Sequence, residues 1–393
     1  MKEMYEKYAK LLIDRCLSIK EKQPLFISAP IESIDFVRIL SKIAIKHGVR
    51  DIHYEFSDEI LKHNELMYYD NEDLFNSSFF NKSIYDEYAK KNAAFLMLCH
   101  DESLVMSDVD KDKMKYIGKI NISTRPIYKE KQLKYEVPWC IASVATDTWA
   151  KRVFPNEKNP KEKLWNEIFK MCLIDKDDPI LEWNKKLKKN KELVDKLNSL
   201  EIESLHYKNK LGTDFIVGFE NNIWCGADAE NNLIVNMPTE EVFTSPSKYT
   251  ASGVVYASKP LIYSNSLIEN FWIEFKDGKV INSNALVGDE LLKSIFKIKG
   301  GDYLGEVALV SSDSPISKSN ILFYETLFDE NASCHLALGQ GFLECTNYET
   351  LENSNINNAK THVDFMIGTD DLEIIATCKD GNVTIMKDGK FVI

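Results

Sequence analysis

"AAFLMLCH", residues 93–100, and "PWCIASVA", residues 138–145, decide how the first half of the chain is read. Each is an unbroken apolar run, the pattern of a strand buried on both faces. Such strands belong to parallel sheets, which need a crossover between neighbours. The crossovers are visible nearby. "YEKYAKLLIDRCLSI" reads as a helix, "PLFIS" as a strand and "IESIDFVRILSKIAIKHG" as a second helix. In that helix Phe36, Val37, Leu40, Ile43, Ala44 and His47 share one face, and Gly48 suits the C-terminal cap. "DIHYEF" follows as a strand with alternating faces. This βαβ order predicts an α/β N-terminal domain, residues 1–200.

From 147 to 200 the pattern is helical. In "DDPILEWNKKLKKNKELVDKLNSL" the residues Ile180, Trp183, Leu187, Val194 and Leu197 form the apolar stripe, and Pro179 suits the first turn. The lysines between them read as a solvated face rather than a nucleic-acid surface. Beyond 200 the texture changes to strands and tight turns. "SLHYKNKLGTDFIVGF", "FWIEFKDGKVINSNAL" and "LEIIATCKDGNVTIMKDGKFVI" read as hairpins, the latter two turning at Asp-Gly. The expectation for residues 201–393 is an α+β C-terminal domain rich in antiparallel sheet. A chain of 393 residues is too long for one core, which agrees with two domains.

Composition narrows the function classes. Sixty-one acidic against forty-nine basic residues give a formal charge of −12, which argues against nucleic-acid binding. The N-terminus lacks the apolar run of a signal peptide, and no stretch approaches the ~18 apolar residues of a membrane span. The eight cysteines are scattered without a C-x-x-C pair. They read as reduced thiols, so the expected compartment is the cytoplasm. Phosphate-loop, dinucleotide-binding, nucleophile-elbow and H-E-x-x-H patterns are all missing.

Four segments of the second half carry acids and histidines. "NMPTEEVFTSP" (236–246) places Glu240 and Glu241 between two prolines. "LGEVALV" (304–310) is strand-like, with Glu306 as its one charge. In a strand Glu306, Ala308 and Val310 share a face, and a buried lone carboxylate needs a partner. "TLFDENASCHLALGQGF" (326–342) holds Glu330 and His335, which one helical face cannot present together; a loop, or a loop entering a helix, could. "THVDFMIG" (361–368) sets His362 and Asp364 on one face of a strand and Val363, Phe365 and Ile367 on the other. Taken singly, each has an ordinary structural explanation. As a set, they match a site for two divalent ions, since carboxylates bridge such ions and imidazole suits zinc or cobalt. Two ions roughly 3.5–4 Å apart would share a hydroxide and polarise a carbonyl.

In order and spacing, these segments resemble the thermophilic metallo-aminopeptidase family, of the aminopeptidase T and aminopeptidase S type. "WCIASVATDTWAKRVFP" (139–155) is similar to a further family segment, and the likeness runs over essentially the whole chain. The resemblance implies removal of N-terminal amino acids from peptides with two divalent cations, zinc first, with cobalt or magnesium also serving. It implies Glu240, Glu306, Glu330, His335, His362 and Asp364 as metal ligands, and a homodimer with an interior active site. Glu241, beside a ligand, is the candidate general base. One residue departs from the pattern. The family's tyrosine near the metals is Phe342 here, which cannot donate to an oxyanion; Tyr348 could compensate if its loop folds back. That departure supports an alternative, a metal-binding but weakly catalytic homologue that binds peptides or is structural. Phosphoester hydrolysis would need a basic anchor, and these motifs contain none.

Overall fold

A computed structural model describes residues 1–102, 105–226, 228–229, 233–264, 266–350 and 353–393. The chain forms two compact units, Met1–Lys185 with Asp228–Thr239, and Lys186–Ala227 with Glu240–Ile393. The first division falls inside the helix Pro179–Ser199, ahead of the expected boundary at 200, and residues 228–239 return to the first unit.

In the first unit β1 (Leu25–Pro30), β2 (Ile52–Ser57), β3 (Ala94–Cys99) and β4 (Trp139–Ser143) pair in parallel, in the order β4-β3-β1-β2. Ala94, Phe95 and Leu96 of β3 are fully buried, as the unbroken apolar run requires. β2 lies at the edge, and its alternation leaves Tyr54 and Phe56 exposed. A fifth strand, Asn236–Met237, pairs in parallel with β4. It is only two residues long and comes from far along the chain, so no periodicity announces it.

The first helix, Lys2–Lys10, widens into a π-helical segment, Leu11–Cys16. The helix Ile34–His47 buries Phe36, Val37, Leu40 and Ala44, and Gly48 caps it at φ +119°, a left-handed conformation that glycine adopts without a Cβ penalty. The predicted stripe fades at its end: Ile43 is half-buried and His47 exposed. There the imidazole finds polar partners, the Ile19 carbonyl at 2.8 Å and Asp14 at 3.0 Å.

The second unit contains two sheets. The larger has nine antiparallel strands and includes all three expected hairpins. At Asp277–Gly278 both turn residues have positive φ (50° and 80°), as at Asp388–Gly389 (49° and 68°). That is the conformation a tight hairpin needs to match strand twist. The smaller sheet comprises β5 (Cys225–Gly226), β6 (Val242–Thr244), β7 (Leu304–Leu309), β8 (His335–Gly339) and β9 (His362–Met366). Its order is β9-β8-β7-β6-β5, antiparallel throughout. One face supplies Val242, Val307, Leu309, Leu336, Leu338, Val363 and Phe365 to the hydrophobic core of this unit. No helix among the described residues is long and apolar enough to cross a membrane.

Candidate metal centre

Alternation along β7, β8 and β9 turns a second set of side chains to the other face of the smaller sheet. The register places Glu306 opposite Ala337, and Ala337 opposite Asp364. A one-carbon side chain therefore lies between two carboxylates in one row across three strands. In the next row Phe243, Ala308 and His335 are aligned, and Gly339 faces His362. Small residues form the floor and ionisable ones rise from it. His362 and Asp364 share this face, and Val363, Phe365 and Ile367 lie in the core, as the sequence predicts.

Glu330 and His335 lie on different elements, joined by a loop. A short helix, Thr326–Glu330, ends at Glu330, and after a four-residue turn β8 begins at His335. The order is helix into strand, not loop into helix. The change of element re-aims the chain, and the charge of His335 is felt at Glu330.

Both imidazoles are oriented from behind. His335 Nδ1 lies 3.1 Å from the Ser333 carbonyl and His362 Nδ1 lies 2.7 Å from the Gln340 carbonyl. A carbonyl only accepts, so in each ring Nδ1 carries the proton and Nε2 points at acids. His335 Nε2 is 3.2 Å from Glu241 Oε2. His362 Nε2 is 3.1 Å from both Glu306 Oε2 and Asp364 Oδ1. Of these two acids it hydrogen-bonds only Glu306, which leaves Asp364 Oδ1 buried without a hydrogen-bond partner.

Ligand atoms of Glu241, Glu306 and His335 lie within 4.8 Å of one another, and so do those of Glu306, His362 and Asp364. Glu306 belongs to both groups. Glu330 belongs to neither, yet its charge is felt by the same residues. Burial first, then the charges of Glu241, Asp364 and Glu306, push its carboxyl pKa well above the usual range, while His335 opposes them. Burial also lifts Glu306 to about 7 against the pull of His362. His335 is the reverse case: burial lowers its pKa, but the hydrogen bond and charge of Glu241 outweigh that and hold it at about 10. His362 is raised well above its normal value despite burial, by Asp364 and Glu306. The cluster thus holds protons tightly where nothing else neutralises its acids.

The donor set fits divalent cations. Glu241, Glu306, Glu330 and Asp364 carry four negative charges when ionised, which two divalent ions would balance. Each imidazole has its far nitrogen already committed, which leaves Nε2 available to an ion, and Asp364 Oδ1 has only its ion pair with His362.

Glu240 is not in either group. Its side chain is almost fully buried and pairs with Lys186, and its N–H donates to Asn331 Oδ1 at 2.6 Å. Burial raises its pKa and Lys186 opposes that rise. Lys186 comes from the lysine run that reads as a solvated face; this one lysine turns inward instead. Asn331, fully buried, also reaches Glu330 Oε1 at 3.4 Å. Neither residue carries a sequence signal beyond Asn331's place directly after Glu330. Phe342 borders the site, its ring centroid 5.0 Å from that of His362 and 5.6 Å from that of Phe243. The Tyr348 hydroxyl is held by Asn221, accepting from its Nδ2 at 3.0 Å.

The sequence pattern of the thermophilic metalloprotease family, M29, matches residues 1–391. Aminopeptidase 2 of Geobacillus stearothermophilus is 36% identical over 392 residues, covering 96% of this chain and 94% of its own. Aminopeptidase AmpS of Bacillus subtilis (strain 168) is 34% identical over 388 residues, covering 95% and 94%. The solved structure of wild-type AmpT from Thermus thermophilus superposes with a TM-score of 0.92 at 30% identity, over the full length of both chains. With a match of this length to the family pattern, and these relatives along its whole course, the chain belongs to the thermophilic metalloprotease family, M29.

Proposed function

We propose that the chain is a metal-dependent aminopeptidase that hydrolyses N-terminal residues from peptides, with its second unit as the catalytic domain. The observation that carries this reading is the pair of ligand groups sharing Glu306, each with an imidazole fixed from behind by a carbonyl. Glu241, Glu306 and His335 would hold one ion; Glu306, His362 and Asp364 would hold a second. Glu330 is coupled by charge to both groups. Zinc suits this mixture of carboxylate and imidazole, as does cobalt, and magnesium is the third choice.

This assignment moves the ligand role from Glu240, where the family resemblance puts it, to Glu241, and the proton-transfer role from Glu241 to Glu330. Glu241 sits 3.2 Å from His335 Nε2, and Glu240 is held by Lys186. Glu241 is therefore the better ligand, and Glu240 a support. Ions bound here would supply Lewis acidity and an acidified water. The protein's own part is to aim the imidazoles, to concentrate acid groups at the peptide's free amine, and to move a proton. Glu330 suits the last of these roles, because it is a buried carboxyl beside both ligand groups and a member of neither.

Metal-loaded protein incubated with a panel of aminoacyl amides tests this directly. Release of free amino acid, lost in Glu241→Gln and largely kept in Glu240→Gln, supports the reading. The second reading is a metal-binding homologue of low activity, and Phe342 favours it, because an aromatic ring without a hydroxyl lies beside His362. Bound metal with no release on any substrate would establish that alternative. A homodimer and a cytoplasmic setting complete the reading. All eight cysteines are free, and the thiols of Cys225 and Cys345 lie 3.7 Å apart unbonded, as a reducing compartment would keep them.

A further inference from the structure

The contacts that fix the Glu240–Glu241 dipeptide come from outside the ligand strands. Lys186 and Asn190 lie one turn apart on the helix Pro179–Ser199, so they project from the same face. Lys186 pairs with the Glu240 carboxylate, and Asn190 Nδ2 donates to the Glu241 carbonyl at 3.1 Å. Asn331 Oδ1 accepts the Glu240 N–H. The backbone of this dipeptide is thus pinned at both residues, and one of its side chains is held as well. The helix approaches closely because β5 offers a glycine: a Cβ on Gly226 would stand 2.2 Å from Asn190 Oδ1.

We infer that Lys186 and Asn190 form a positioning clamp that sets the affinity of the metal centre through Glu241. The inference rests on the proposed metal site. The Glu240 carboxylate is turned to Lys186, which leaves the next side chain in the extended segment to face His335. Glu240 is nearly buried, and a buried carboxylate stripped of its partner is strongly unfavourable. Without Lys186 it must turn towards water, and the backbone that carries Glu241 turns with it. With both partners made apolar, nothing drives that rotation. Asn190 acts independently on the same backbone, at the Glu241 carbonyl.

The test is metal affinity, measured by titrating metal-stripped full-length protein with zinc against a chromophoric chelator. Lys186→Met is expected to weaken binding by about 10–100-fold, the range for residues that orient ligands. Lys186→Met combined with Glu240→Met is expected to restore most of that loss. Gly226→Ala, which displaces Asn190 without touching the ion pair, is expected to weaken binding in the same direction. Circular dichroism and thermal melts of each stripped variant separate these effects from misfolding. Wild-type affinity in both Lys186→Met and Gly226→Ala would overturn the clamp, and so would a double variant as weak as Lys186→Met alone. Wild-type protein that takes up no zinc would instead overturn the metal-site reading itself. A clamp that acts through affinity also predicts that kcat in Lys186→Met falls at limiting zinc and returns towards the wild-type value when zinc is saturating, whereas a lost folded fraction would leave it low at both.

Discussion

Strand β3 of the parallel sheet and strands β7 and β8 of the five-stranded sheet are all largely hidden from solvent, yet only β7 and β8 carry a carboxylate or an imidazole. In β3 burial and apolarity coincide: Ala94, Phe95, Leu96 and Leu98 are all inside. In β7 and β8 every residue is also buried, but Glu306 and His335 are among them. The difference lies in what faces each strand. The buried acids of the second sheet meet imidazoles from two strands away, and small residues on the strand between leave space for them. Burial alone does not select apolar side chains; burial without a partner does.

Size at the floor of the site gives the strongest contrast. Ala337→Leu would fill the row between Glu306 and Asp364, and metal affinity should fall by more than the ~10–100-fold typical of outer-shell changes. Ala94→Leu, the same enlargement in β3, should cost only stability, about 1–3 kcal/mol, in denaturant melts. Retained metal in Ala337→Leu would erase the distinction. Next is Phe342→Tyr, which places a hydroxyl beside His362. If an oxyanion donor is what the site lacks, turnover should rise by about 10²–10³, measured on the best aminoacyl amide. Unchanged turnover would show that another group serves.

Equal truncations sharpen the comparison further. Leu96→Ala in β3 and Leu338→Ala on the core face of β8 should each cost about 2–5 kcal/mol in urea unfolding. Only the second should also weaken metal binding, because Leu338 shares a strand with His335. The smallest effect concerns pH. Raised proton affinities in the folded state make metal-free protein lose stability as pH rises, first through the Glu306 value of about 7 and then through the His335 value of about 10. Metal-loaded protein should show a flatter decline of Tm over that window. Parallel curves would mean that the protons and the metal do not compete for the same groups.

Legibility followed the range of the interaction. The runs at β3 and β4, the Asp-Gly hairpins and the two-faced pattern of β9 are local, so the sequence announces them. The four candidate segments were legible as a set, because acids isolated in apolar strands stand out. Three features were not legible. Asn236–Met237 joins the first sheet through a pairing across almost a hundred residues, with only two residues to signal it. The choice between Glu240 and Glu241 depends on which way a dipeptide is rotated, which no spacing records. Lys186 is one lysine in a run of similar residues, distinguished only by a partner 54 positions away. Composition gives each lysine the same reading, and tertiary contact separates them.

The Lys186–Glu240 pair has a consequence for how the chain tolerates change. These residues are also where two of the chain's passages enter the second unit, after Lys185 and after Thr239. Borders between compact units are ordinarily permissive, the places where insertions, nicks and fused domains do least harm. Here one passage falls inside a helix, directly before a lysine that is paired with Glu240. A residue inserted just after Lys186 would turn Lys186 and Asn190 about 100° further apart around the helix, so that they could no longer both reach the Glu240–Glu241 dipeptide. The seam that looks safest for grafting is thus among the least forgiving places in the molecule.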